Sequence, residues 1–201
     1  MLRKILAGVC AGILISIGGT VFLACENRVV GAVFFSVALL CICYKGYSLF
    51  TGKVGYLPEK HDREAVSVLL WGLLGNTIGT VLGGLLIRYA LPAVGTAAEA
   101  SAAAKLAQLP LQTLIRAFFC GVLMYLAVSI FRDAKSPLAI LYGIPVFILS
   151  GFEHSIADIF YLAAAEAFTW RALGFLCVVL VGNSLGGMIL PLLGMAGKDK
   201  A

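Results

Sequence analysis

Apolar residues gather in six long runs, at about 5–25, 29–50, 65–88, 111–131, 137–165 and 170–194. Each is near the roughly 20 residues that a helix needs to cross a bilayer. Polar residues collect between the runs, in Glu26-Asn27-Arg28, in the charged stretch from Lys53 to Glu64, and in Arg132 to Lys135. The stretch from Tyr89 to Pro110 is rich in alanine and holds one lysine, Lys105; it reads as a loop or as a surface helix. The pattern predicts an all-α membrane protein of six transmembrane helices, with residues 1–201 in a single membrane domain.

Two of the six runs are interrupted. In the second, Lys45 precedes Gly46-Tyr47-Ser48-Leu49-Phe50-Thr51-Gly52-Lys53, a mixed segment bracketed by glycines. In the fifth, Ser150-Gly151-Phe152-Glu153-His154-Ser155-Ile156-Ala157-Asp158 sets three ionisable residues within six positions. Such groups at membrane depth are costly and mark functional sites. The glycine beside them predicts a broken helix whose freed backbone groups face protein or a cavity, not lipid.

Gly-Asn-x-x-Gly follows each interruption, at 75–79 and at 182–186. The chain therefore reads as two pseudo-repeats of three helices, about 1–90 and 111–195. Three is odd, so the second half enters the membrane inverted. Inverted repeats whose broken helices meet at the midplane mark transport sites, and helix ends there can aim N–H groups at an anion. Gly8 and Gly12 have the small-xxx-small spacing that permits close helix contact.

Composition narrows the class. Of the 201 residues 61% are hydrophobic and 12% charged, against about 25% charged in soluble domains, and the mean hydropathy is +1.02. No separate soluble domain fits. The net charge of +5 does not imply nucleic acid, because the basic residues sit between the apolar runs. With both ends and the loops after spans two and four on one side, that side holds nine: Arg3, Lys4, Lys53, Lys60, Arg63, Arg132, Lys135, Lys198 and Lys200. The other side holds five, Arg28, Arg88, Lys105, Arg116 and Arg171, and Lys45 stays within a span. The excess of lysine and arginine on cytoplasmic loops predicts cytoplasmic termini and a multi-pass protein of the cell membrane.

The apolar stretch from Ile5 to Cys25 exceeds a signal core of about 7–15 residues, so an uncleaved first helix is expected. The six cysteines lie in or beside apolar runs without zinc or redox spacing, as packing residues do. Apart from Glu153, His154 and Asp158, the sequence shows no nucleophile–base arrangement or metal-ligand set. Neither an enzyme, a cofactor nor a metal is expected.

Gly151-Phe152-Glu153-His154-Ser155-Ile156-Ala157, Leu49-Phe50-Thr51, and Gly182-Asn183 with Gly186-Gly187 resemble the corresponding segments of the formate/nitrite transporter family. The resemblance covers nearly the whole chain, with Lys105 similar to the family's lysine near the outer mouth. It implies an aquaporin-like fold with broken helices 2 and 5, assembled as a homopentamer with one pore per protomer. It implies passage of small monovalent anions or their conjugate acids: formate, nitrite, hydrosulfide, acetate or lactate. Two apolar constrictions would enclose His154, an inner one of Leu39, Leu49 and Phe50 and an outer one of Phe35, Val128 and Phe147. The chain departs from the family pattern at Asp158 and Tyr125, where asparagine is usual, and at Lys45, where the position is ordinarily uncharged.

A bare anion entering a low-dielectric constriction pays many kcal/mol, on the order of the Born cost of a buried ion. A weak acid avoids this by crossing protonated. In this reading Lys105 attracts anions at the mouth, while His154 and Thr51 hydrogen-bond the substrate. His154 donates the proton, or water supplies it; a histidine titrates near neutrality, so both stay open. Glu153 is expected to brace the broken helix by accepting backbone N–H bonds. Thr51 either caps the following half-helix or meets substrate, and Asn76 and Asn183 either satisfy freed backbone groups or line the pore. Asp158 has three readings: a partner four residues from His154 that favours the imidazolium, an ion pair with Lys45, or a group facing a water-filled subunit interface. Two other functions compete: a pore for a neutral solute or cation, suggested by Asp158 and Lys45, and a membrane scaffold or sensor.

Overall fold

A computed structural model describes residues 1–198, and all regular elements among them are helical. Lys200 and the side chain of Lys198, both in the charge balance above, lie outside what is described. Helix α1 is Leu2–Ala24, α2 Arg28–Lys45, α3 Phe50–Lys53, α4 Arg63–Ala90, α5 Pro92–Leu106, α6 Pro110–Ala134, α7 Leu138–Leu149, α8 Ser155–Ala164 and α9 Trp170–Lys198. A short 3₁₀ turn, Val54–Tyr56, follows α3. Helices α1, α2, α4, α6 and α9 are each long and apolar enough to cross a membrane. The fifth apolar run is divided between α7 and α8, both shorter.

Both interruptions end their helices in the same way. Gly46 and Gly151 take φ of +68° and +70°, a left-handed conformation that glycine adopts without a Cβ penalty. The residue after each glycine donates back into the helix, Tyr47 N–H to Ile42 O and Phe152 N–H to Phe147 O, both at 3.0 Å.

Small residues set the packing around these breaks. Helix α1 lies against α4 with Gly8 and Gly12 facing Gly75 and Gly79. A Cβ on Gly75 would fall 2.2 Å from the Ile5 carbonyl oxygen. In the other half α6 lies as closely on α9, and a Cβ on Gly186 would fall 1.8 Å from the Phe118 carbonyl oxygen. The glycines of Gly-Asn-x-x-Gly therefore bring backbone against backbone.

The asparagine of each motif fills the gap in the broken helix. Asn76 Oδ1 accepts from Phe50 N–H at 2.9 Å, and its Nδ2 donates to Ser48 O at 2.7 Å and Gly8 O at 2.9 Å. Asn183 Oδ1 accepts from Ser155 N–H at 2.8 Å, and its Nδ2 donates to Glu153 O at 2.8 Å and Ala117 O at 2.9 Å. Both side chains are fully buried. Each amide spans one break and ties it to a third helix.

The alanine-rich stretch is helix α5. Proline opens it, with no amide to leave unsatisfied, and alanine is the best helix former. Val94, Ala98 and Ala102 form its buried face, and Lys105 follows Ala102 by three residues on the same side. Arg88, near the end of α4, holds the junction by pairing with Glu99 and, at 3.7 Å, with Glu166.

Replacing Asn183 by leucine strands the Ser155 amide and the Glu153 and Ala117 carbonyls, each at about 1–3 kcal/mol. Asn183→Leu and Gly186→Ala should both lower the melting temperature in detergent and shift the protein toward aggregate on size exclusion. Ser184→Ala, which removes only a hydroxyl bonded within its own helix, should melt like the parent protein.

Candidate functional site

Each asparagine grips the residues on either side of one central position. Ser48 O and Phe50 N–H flank Leu49; Glu153 O and Ser155 N–H flank His154. At His154 the structure adds two bonds. Its Nδ1 accepts from Ala157 N–H at 3.1 Å, so the imidazole caps α8. Its Nε2 lies 2.8 Å from Thr51 Oγ1. An Nδ1 that accepts must hold a lone pair, which puts the ring proton on Nε2 and leaves the ring neutral. The hydroxyl of Thr51 is then the acceptor, with its own hydrogen left to donate. Phe147 stacks on the imidazole, with centroids 5.7 Å apart and planes 17° from parallel.

Two cavities approach this point from opposite ends of α2 and α6. The first, of about 480 Å³, is lined by His154, Phe35, Phe147, Lys105, Arg28 and Arg116, among others. The second, of about 280 Å³, is lined by Leu39, Leu49, Val128, Lys53, Arg132 and Lys135, among others. Phe35 faces one cavity and Leu39 the other, one turn apart on α2. At 1.5 Å per residue the apolar barrier between them is about 6 Å along that helix.

Charge is held differently at the two ends. In the first cavity Lys105, on the buried face of α5, pairs with Glu153 and, at 2.8 Å, with Asp158 Oδ1. Gln108 Nε2 donates to the other Glu153 oxygen at 2.6 Å. Both carboxylates are almost fully buried, Glu153 at 3% and Asp158 at 1% exposure. In the second cavity Arg132 lies over the Tyr56 ring, 4.6 Å from its centroid, and Tyr125 tilts against the same ring at 5.7 Å.

Several expectations need correction. The cation on Asp158 is Lys105; Lys45 is exposed at the end of α2. Asp158 is buried rather than facing a water-filled interface, and it bonds to lysine while His154 stays neutral as a helix cap. This removes the ground for reading Asp158 and Lys45 together as a cation or neutral-solute selector. Glu153 braces α5 through side chains, not through backbone amides; its backbone carbonyl is the brace, through Asn183. Val128 lines the second cavity with Leu39 and Leu49, not the first with Phe35 and Phe147. Phe50 lines neither cavity: its amide is tied to Asn76 and its ring packs in the core. Lys105 lines the first cavity, but two carboxylates already hold it. Thr51 does not cap α3, whose start at Leu49 has no side-chain cap. The amides of Ser155 and Ala157 at the start of α8 are bonded within the protein rather than presented to an anion.

Arg28 and Arg116, which from sequence entered only the charge balance, line the first cavity, and Lys53, Arg132 and Lys135 line the second. Only their position at helix ends hinted at this. Among the described residues no group of three His, Cys, Asp or Glu side chains forms a metal site.

The formate/nitrite transporter family matches residues 1–196. An uncharacterized transporter of Bacillus subtilis, YwcJ, is 31% identical over 178 residues, covering 79% of this chain and 70% of that protein. The nitrite transporter NirC of Escherichia coli is 28% identical over 180 residues, covering 80% and 67%. Among solved structures, an FNT-family ion channel superposes with a TM-score of 0.78 at 24% identity, over 98% of this chain and 88% of the other. A pentameric formate channel with formate bound gives 0.75 at 24% identity, over 96% and 94%. These likenesses carry the fold; the family match and the sequence relatives carry the kinship. The chain belongs to the formate/nitrite transporter family and is a multi-pass membrane transport protein, not an enzyme.

Proposed function

We propose that each protomer is a pore for small monovalent anions of weak acids, of the formate and nitrite class, and that five protomers assemble in the cell membrane. The observation that carries this reading is the buried His154–Thr51 pair: His154 lines the first cavity, and Leu49 and Gly52, close to Thr51 in the chain, line the second across a thin apolar barrier. Phe35 and Phe147 form the constriction on the first side, Leu39, Leu49 and Val128 that on the second. NirC transports nitrite and the pentameric channel holds formate; both are small, flat oxyanions that fit one hydroxyl and one imidazole N–H. The exposed apolar side chains along the long helices, such as Phe34, Leu70, Leu86 and Leu193, suit lipid and neighbouring subunits.

The substrate gains polar partners only between the rings. Arg28 and Arg116 draw anions into the first cavity, and Lys53, Arg132 and Lys135 draw them into the second. At the barrier, the Thr51 hydroxyl and the His154 Nε2–H replace part of the hydration that the rings strip away. The two halves, about 1–90 and 111–195, are an inverted repeat within one domain, and both termini are cytoplasmic. The second cavity then faces the cytoplasm and the first the outside.

Proteoliposomes containing the protein should take up formate and nitrite well above protein-free vesicles, and should leave ammonium and urea at background. His154→Ala should cut anion uptake by about tenfold or more, the worth of one buried hydrogen bond lost where substrate dwells. Equal uptake in the variant, or uptake of ammonium alone, defeats the assignment. Leu49→Ala should widen the inner ring, raising flux and admitting larger monocarboxylates. A fluorescent protein fused after Ala201 should fold and glow in the cytoplasm; a dark fusion reverses the orientation.

A further inference from the structure

A weak acid crossing as the neutral form must collect a proton, and His154 is poorly placed to give one. Its Nδ1 already accepts the Ala157 amide, and its Nε2–H serves Thr51. An imidazolium has no lone pair at Nδ1, so charging the ring would uncap α8.

Asp158 is placed differently. Its Oδ1 accepts from Lys105, but its Oδ2 is buried with no hydrogen-bond partner. Glu153, by contrast, has both oxygens bonded, one to Lys105 and one to Gln108. One ammonium thus faces two carboxylates, an excess of one negative charge among buried side chains. A buried carboxylate left without full pairing is strongly disfavoured against its protonated form. The other groups around the site are Cys120 on α6, Tyr161 on α8 itself, neutral His154, and Arg28 and Arg116, which line the same cavity but are exposed. None of them bonds to Oδ2.

We propose that Asp158 carries an exchangeable proton on Oδ2 and hands it to the anion in the outer cavity. The inference rests on the anion-pore reading. In the transfer the Oδ2–H bond breaks and its electron pair stays on Asp158. A new O–H bond forms on an oxygen of formate or nitrite. The neutral acid then passes Phe35 and Phe147 to the His154–Thr51 pair, and Asp158 takes a fresh proton from water at the mouth. Lys105, still paired with Glu153, stabilises the carboxylate that exists for the moment between the two steps.

Infrared spectra of the reconstituted protein near neutral pH, without substrate, should show the C=O stretch of a protonated carboxylic acid. Asp158→Asn should lose that band and Asp158→Glu should keep it. In uptake assays the parent rate should level off as external pH falls, because Asp158 is already filled. In Asp158→Asn the proton comes from bulk water, so the rate should track free acid, about tenfold per pH unit. Asp158→Glu should restore the plateau. Elution of the variants as the parent oligomer guards against misfolding. No acid band in the parent, a band that persists in Asp158→Asn, or identical pH profiles for the two would overturn the proposal. If the parent protein moves none of these anions, the pore reading fails, and the infrared band still decides whether Asp158 holds a proton.

Discussion

Backbone groups freed at a break in a membrane helix have no water to turn to. The structure depends on how two asparagines meet that demand. A carboxamide has an acceptor and two donors on one plane, enough to close both sides of a one-residue gap and reach a third helix. Asn76 and Asn183 do this with matching partners: an amide and a carbonyl two residues apart, plus a carbonyl on α1 or α6. The residue between the anchored pair is thereby held toward the interior. In one half it is Leu49 and in the other His154, and these two face the cavities on either side of the barrier.

The scaffold is repeated but the chemistry on it is not. From Ser48 to Glu153 is a step of 105 residues, and the same step takes Gly46 to Gly151, Leu49 to His154 and Lys53 to Asp158. An apolar residue lining the second cavity thus corresponds to a hydrogen-bonding imidazole, and a lysine lining the second cavity to an acid lining the first. A permeation path needs a dry section and a polar station close together. Two copies of one clamp supply both, because the clamp fixes backbone and leaves the side chain at its centre unconstrained.

Much of this was legible in the sequence, for reasons tied to particular residues. Glycine beside ionisable residues in an apolar run marks a break, and Gly46 and Gly151 are where α2 and α7 end. The repeated Gly-Asn-x-x-Gly marked the clamps, though not which groups they would bind. What stayed hidden was long-range pairing. Lys105 and Asp158 are 53 positions apart, and nothing local distinguishes Lys105 from a loop lysine. The one available signal was spacing: Val94, Ala98, Ala102 and Lys105 run along one side of a helix, so a small-residue face ends on the lysine. That Val128 lines the second cavity and that Phe50 packs in the core stayed hidden for a related reason. Sequence gives an apolar residue's depth along a helix, not the direction in which tertiary packing turns it.

Electrostatic reach sets how thin the barrier can be. Arg28 precedes Phe35 by seven residues on α2, about 10 Å of rise, and a charge pair at that distance and an effective dielectric of 20 interacts by about 2 kcal/mol, so in the proposed reading basic groups at each mouth still favour an anion at the edge of the barrier. A thicker apolar section would remove that help and leave a desolvated ion unsupported. Attraction alone has the opposite fault, since an anion bound tightly by a buried lysine would not leave. Lys105 is kept from that role by Glu153 and Asp158, while Arg28 and Arg116 are exposed and in the proposed reading hold an anion loosely. On that reading the first cavity therefore collects anions without trapping them, and His154 offers hydrogen bonds rather than an opposite charge.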